Sequence, residues 1–216
     1  MIKIENIDTW GWEHTIRGMR KPMNSEARGD SWFDPDNPRR FEIGQNDMKL
    51  MQNLYKASLA NNFAHRKFMR QIMVSMDITA PRYWWAEFDT YKVGTVANSQ
   101  STMHKIHSKE FTLDDFSYEH LDADSESMLL KLIHLLNSYR DKYNSTKSKD
   151  DWWQMIQLLP QSYNQTRTVT MNYEVVLTMI TQRTGHKLDE WREFVEVLKG
   201  LNYLAEIVGE KEYIVS

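Results

Sequence analysis

The residues best suited to chemistry lie between His65 and His104, in the run HRKFMRQIMVSMDITAPRYWWAEFDTYKVGTVANSQSTMH. It opens on a histidine and closes on Asn98, Ser101 and His104, with Glu87, Tyr91 and Lys92 in between. Imidazole exchanges protons near neutral pH, and the amide, hydroxyl and ammonium groups bind and orient polar ligands. His104 and His107 are three residues apart, close enough to share a helical face, but no carboxylate pattern accompanies them. No metal site is expected there. Trp84-Trp85 and Trp152-Trp153 suit stacking on a flat ring. The simpler expectation puts one Trp of each pair in the core and the other at an interface. The sequence has no phosphate loop, GxGxxG turn, HExxH pair, EF-hand loop or nucleophile elbow.

These residues need elements to hold them. Ile72, Val74, Met76 and Ile78 alternate with Gln71, Ser75 and Asp77, which predicts a strand over Gln71–Ile78 with one buried face. Thr79-Ala80-Pro81 reads as a helix entry, a capping hydroxyl followed by Pro in the first turn. Trp84, Phe88 and Tyr91 share a face of the helix that follows, and Gly94 is its expected terminator. Before the run, residues 1–44 predict a short strand and a long turn-rich loop. Helical spacing of Leu50, Met51, Leu54, Tyr55 and Leu59 predicts a helix from Asp47 to Phe63. After it, residues 110–127 read as an acidic loop, and Ser127–Tyr143 as an amphipathic helix. Asn144–Asp151 reads as the most linker-like segment. Trp152–Leu159, Thr168–Arg183 and Leu188–Ile207 predict a helical C-terminal half. The fold class is α+β, with helices dominant.

Length and composition narrow the function classes. At 216 residues the chain suits one domain, with 1–44 as an N-terminal region and 45–216 as core. Lys and Arg number 27 against 30 Asp and Glu, so no global charge favours nucleic acid or an anionic membrane. No stretch is long and apolar enough for a transmembrane helix, and the N-terminus lacks signal-peptide order. With no cysteine there is no disulfide framework and no thiolate nucleophile. A cytoplasmic protein is the simplest expectation.

The order of elements around Ala80-Pro81 resembles flavin-dependent thymidylate synthases of the ThyX type. That family carries a histidine, a strand ending in Lys-Ala-Pro, and a helix with Arg-Gln. The motif Arg-His-Arg-x-x-Ser-x-Asn-Glu-x-Ser-x-Arg follows. Counted back from Ala80-Pro81, His65 stands at the position of the family's first histidine. Counted forward, Glu87 replaces the glutamine and Thr90-Tyr91-Lys92 replaces Arg-His-Arg. With one inserted residue, Asn98 matches the motif Asn, Ser101 the second serine, and Met103 the last arginine. A second block, Leu159-Pro160 through Arg183, resembles the family's late Leu-Pro to Arg stretch without a gap. In it Asn172 and Arg183 match, Glu174 replaces an arginine, and His186 stands near a following histidine.

The resemblance implies a ThyX-like fold, with a central antiparallel sheet flanked by helices. It implies catalytic roles for His65 and Ser101, and FAD contacts from Tyr91, Lys92, Asn98, Asn172 and His186. It implies nucleotide contacts from Glu87, Ser101 and Arg183, with His104 and Arg167 as candidate contacts that compensate for the replaced arginines. The implied ligand is a pyrimidine nucleotide such as dUMP, and the implied assembly is a homotetramer with shared sites. The family's arginines hold phosphate groups bidentately, which lysine does not copy. Losing such bonds at about 1.5–3 kcal/mol each weakens nucleotide affinity by orders of magnitude. Three readings follow: a divergent flavin enzyme acting on a pyrimidine nucleotide, a nucleotide-binding protein on the same scaffold, or an interaction protein with a vestigial cleft.

Overall fold

A computed structural model describes residues 2–37, 40–60 and 63–209. Four strands form one antiparallel sheet in the order β1-β4-β6-β5: β1 (Lys3–Trp10), β4 (Met73–Pro81), β6 (Asn164–Asn172) and β5 (Thr95–Ser99). The short strands β2 (Trp32–Phe33) and β3 (Phe41–Glu42) pair antiparallel on their own. The helices are α1 (Trp12–Arg20), α2 (Gln45–Leu59), α3 (Arg82–Phe88), α4 (Thr102–Lys105) and α5 (Ala123–Thr146). They continue with α6 (Lys149–Leu158), α7 (Tyr173–Arg183), α8 (Asp189–Lys199) and α9 (Leu204–Val208). The α+β class and the central antiparallel sheet are as the sequence implied.

The alternation that predicts β4 is real: Ile72, Val74, Met76, Ile78 and Ala80 are buried on one face. The other face is polar and knitted to β6. Thr79 Oγ1 lies 2.7 Å from Thr166 Oγ1, Thr168 Oγ1 donates to Asp77 Oδ1 at 2.6 Å, and Thr170 Oγ1 donates to Ser75 Oγ at 3.3 Å. These pairs ascend one strand as they descend the other, as an antiparallel register requires.

Two compact units divide the chain. The first comprises residues 1–5, 77–90 and 97–168. Its core packs α5 through Leu129, Ile133 and Leu136 against Met155 of α6, with Ile106, Phe111, Phe116 and Leu159. Trp84, Trp85 and Phe88 form a second aromatic group there, with ring centroids 4.9–5.2 Å apart. The second unit comprises residues 6–76, 91–96 and 169–216. Trp12 meets Tyr173 and Tyr203 edge-on, each at 5.3 Å, and α7 and α8 bury Val176, Met179, Ile180, Trp191, Phe194 and Leu198. In the same unit Asp47 is fully buried and accepts from Arg20 Nε at 2.5 Å, Ser31 Oγ at 2.7 Å and the Asp30 amide at 2.9 Å.

Several boundaries differ from the sequence reading. The loop expected before residue 45 contains α1, whose Trp12, Ile16 and Met19 recur at helical spacing and are buried. Gly11, at φ +91, starts that helix where a Cβ would lie 2.1 Å from the Gln71 carbonyl oxygen, so only glycine fits. Thr168–Asn172 is strand, not helix: the β-branched run Thr168-Val169-Thr170 suits a strand, and buried Val169 and Met171 alternate with Thr168 and Thr170. Thr79 stays in β4, and Pro81 occupies the cap position of α3. That helix stops at Phe88, so Gly94 does not end it; Gly94 turns the chain into β5 at φ +79. Trp84 and Trp85 are both buried, so neither lies at an exposed interface, whereas Trp152 is half-buried and Trp153 exposed. No helix among the described residues is long and apolar enough to cross a membrane.

Candidate functional site

The densest group of expected site residues gathers at the C-terminal end of α7. Arg183 is the last residue of that helix, where the carbonyl-rich end favours a cation. Its Nε donates to the Tyr91 hydroxyl at 2.9 Å, and that hydroxyl donates to Gln182 Oε1 at 3.0 Å. The guanidinium lies 4.6 Å from the Trp191 ring centroid and 5.5 Å from that of Tyr91. Planar stacking of this kind fixes the orientation of the fork and adds cation–π attraction. Gly185, at φ +74, turns the chain after α7 and returns His186 toward the arginine. His186 Nε2 lies 3.2 Å from Arg183 Nη1, and Nδ1 lies 3.2 Å from the Leu188 amide nitrogen. Both neighbours are donors, and a neutral imidazole accepts at only one nitrogen. Lys92, next to Tyr91, is exposed.

The other end of α7 is organised differently. Asn172 is its N-cap, with Oδ1 accepting from the Val175 amide at 3.0 Å. The rise per residue puts it roughly 16 Å along the helix from Arg183. Gly94 lies against it, in a position where a Cβ would come within 2.6 Å of Asn172 Nδ2. Glu174 sits in the first turn, the favourable end for an anion. It pairs with Arg70 and, at 3.5 Å, with Arg66, so an acid at a position of family arginine holds two arginines from elsewhere. His65 precedes Arg66 on the same 3-10 segment, Phe63–Gln71, and is exposed.

The remaining expected residues belong to the first unit. Arg167 on β6 pairs with Asp89 Oδ1 at 2.7 Å, donates to Gln165 Oε1 at 3.1 Å and lies 4.2 Å from the Trp85 ring centroid. Glu87 is half-buried on α3, and its carbonyl oxygen accepts from the amide and hydroxyl of Thr90. Asn98 is exposed on β5. Ser101 caps α4, its Oγ accepting from the His104 amide at 3.1 Å. It lines a cavity of about 390 Å³ with Lys105, Lys109 and Tyr163. Burial, and then the Asp115 carboxylate, pushes the Tyr163 phenol above its ordinary pKa. His104 lines a separate cavity with His107.

The structure therefore brings Tyr91, Arg183 and His186 together, and Ser101 next to His104. The sequence reading missed Trp191 and Gln182 around Arg183, and Asp89 beside Arg167. Only tertiary contact singles these out, since each has an ordinary helical role in its own segment. Among the described residues no cluster of three or more His, Asp or Glu is arranged to hold a metal ion.

No protein-family model matches the chain, and no curated protein sequence does. Solved structures do. The fold is similar to thymidylate synthase X (ThyX) from Helicobacter pylori with FAD and dUMP, with a TM-score of 0.63 over 92% of this chain and 91% of that one, at 14% identity. A second flavin-dependent ThyX structure from H. pylori, complexed with FAD and dUMP, gives 0.59 over 91% of each chain, also at 14% identity. A UMP/dUMP methylase, PolB, from Streptomyces cacaoi bound with 5-Br UMP gives 0.60 over 96% of this chain and 90% of that one, at 11% identity. The chain has a ThyX-like fold, as its sequence resemblance implied.

Proposed function

We propose that the chain binds a pyrimidine nucleotide, with Arg183 and His186 receiving the phosphate at the end of α7. The observation that carries this reading is the convergence of two donors, Arg183 Nη1 and the Leu188 amide, on an imidazole that accepts from only one. An anionic oxygen beside Arg183 and His186 accepts from the guanidinium and from an imidazole N–H together. The fold supports the choice of ligand, since the similar structures hold dUMP or 5-Br UMP. Lys92, beside Tyr91, adds an exposed cation. The test is a thermal-shift panel of dUMP, UMP, dTMP and dCMP, because a ligand that binds only the folded state raises the melting temperature. At least one should stabilise the protein, and Arg183→Ala should abolish that shift. No response to any of the four, or an undiminished response in the variant, would overturn the reading.

The FAD in both H. pylori structures favours a second reading, a flavin-dependent enzyme in which His65 and Ser101 act on the nucleotide. The implied cofactor residues of the second unit are engaged in contacts of their own. The Tyr91 hydroxyl is taken up by Arg183 and Gln182, Asn172 Oδ1 caps α7, and Lys92 is the lone cation among them. A yellow preparation absorbing near about 450 nm, the flavin band, would restore that reading; a colourless protein that takes up no added FAD would remove it. We also propose a homotetramer, for which a monomeric mass in light scattering would be decisive against.

A further inference from the structure

The turn between α5 and α6 faces a cavity of about 300 Å³ lined by Met103, His104, His107, Tyr143, Lys147, Lys149 and Trp152. Its chemistry is cationic and aromatic. Lys147 Nζ stands 5.3 Å over the Tyr143 ring, and Lys149 Nζ stands 5.9 Å over that of Trp153. The same Tyr143 ring meets His107 edge-on at 4.8 Å. Trp152 is fixed by donation of Nε1 to the Met103 carbonyl at 3.1 Å. Lys147 and Lys149 have no carboxylate partner among the described residues, unlike nearby Lys109, which pairs with Asp115. Asp150 and Asp151 follow on the first turn of α6, where Asp151 accepts from Thr146 Oγ1 at 3.4 Å.

Two further features mark the cavity. His107 Nδ1 is buried without a hydrogen-bond partner among the described residues. Burial, and then Lys147 and Lys105, holds its imidazole below the ordinary pKa. Lys147 ends α5 in the left-handed region, at φ 57 and ψ 22, with its amide bonded to the Tyr143 carbonyl at 2.8 Å. Glycine or asparagine is usual at such a position. Here a long cation stands over an aromatic ring at the cavity mouth instead.

We propose that this cavity binds the phosphoryl group of a small phosphorylated ligand, held by Lys147, Lys149 and His107 with Tyr143 and Trp152 as its walls. The proposal does not rest on the nucleotide reading of Arg183, which lies in the other compact unit. Ammonium groups supply point-charge donors to phosphate oxygens, and a neutral imidazole supplies one N–H.

The test is a titration of the full chain with sodium pyrophosphate at constant ionic strength. It is followed by NMR of the Trp152 indole N–H and the His107 ring. Both signals should shift saturably. Lys147→Gln combined with Lys149→Gln should weaken the interaction about tenfold or more, as loss of charge-assisted bonds does. Lys131→Gln, on the exposed face of α5, should leave it unchanged. These lysines are exposed, so the variants should fold, and far-UV circular dichroism checks this. No saturable shift, or the same affinity in the double variant, overturns the proposal.

Discussion

Arg167 and Arg183 lie over tryptophan rings at nearly the same distance, 4.2 and 4.6 Å, yet their surroundings differ. Arg167 is tied to a carboxylate, Asp89, and to the Gln165 amide oxygen. Arg183 donates to the Tyr91 phenol, lies 3.2 Å from His186 Nε2 and stacks on the Trp191 ring at the end of α7. The first arrangement favours a structural tie between β6 and the turn after α3. The second gathers a phenol, an imidazole and an indole around a guanidinium at a helix end. Both arginines stack on an indole, but one sits on a strand beside a turn and the other at the end of a helix.

The comparison breaks first at the rings beneath the arginines. Trp191→Ala and Trp85→Ala should each cost about 3–5 kcal/mol of unfolding free energy, because both rings are buried. Urea denaturation checks this, and a loss under about 1 kcal/mol would show that the ring is not packed as described. Next is the nucleotide itself. Arg183→Met should weaken binding of whichever nucleotide stabilises the protein by about 1.5–3 kcal/mol, roughly 10–100-fold. Arg167→Met should change it less than about threefold by calorimetry. Equal losses would erase the distinction. Arg167→Met should instead cost about 1 kcal/mol of stability, discounted because Asp89 is half-exposed, and high salt should reduce that cost. Smallest is Tyr91→Phe, which keeps the ring and removes the hydroxyl; about 0.5–1.5 kcal/mol of stability should go with it.

The Arg20–Asp47 pair extends the comparison to full burial. Desolvation alone would raise the Asp47 pKa, but hydrogen bonds from Ser31, the Asp30 amide and Arg20 outweigh it and hold the carboxyl below its ordinary 3.8. A carboxylate depressed in the folded state adds stability that is full above the unfolded value and is lost as pH falls through the folded one. Wild type should therefore exceed Asp47→Asn above about pH 4, and the gap should narrow on further acidification. Chemical denaturation across that range measures it; a gap independent of pH would show that the charge contributes nothing.

Much of the frame was legible in the chain. Period-two burial in β4 and helical spacing in α2 and α5 follow directly from apolar positions, since each element must bury one face. Helix α1 is not legible in the chain because glycines and polar residues dilute its stripe of Trp12, Ile16 and Met19. The start of α7 was misplaced because Val169 and Met171 fit either period over so short a run. Asn172 marks the true boundary, a cap whose role shows only once the following amides are in place.

By itself the sequence determined the α+β class, the principal elements and the set of polar residues, because hydrophobic period and residue type are local properties. Only the tertiary structure decided which of those residues act together. It joined Tyr91, Arg183 and His186 across more than ninety positions, gave Arg167 its carboxylate, and gave Glu174 two arginines. Such partnerships depend on distances between segments far apart in the chain, and Coulomb and hydrogen-bond energies depend on those distances.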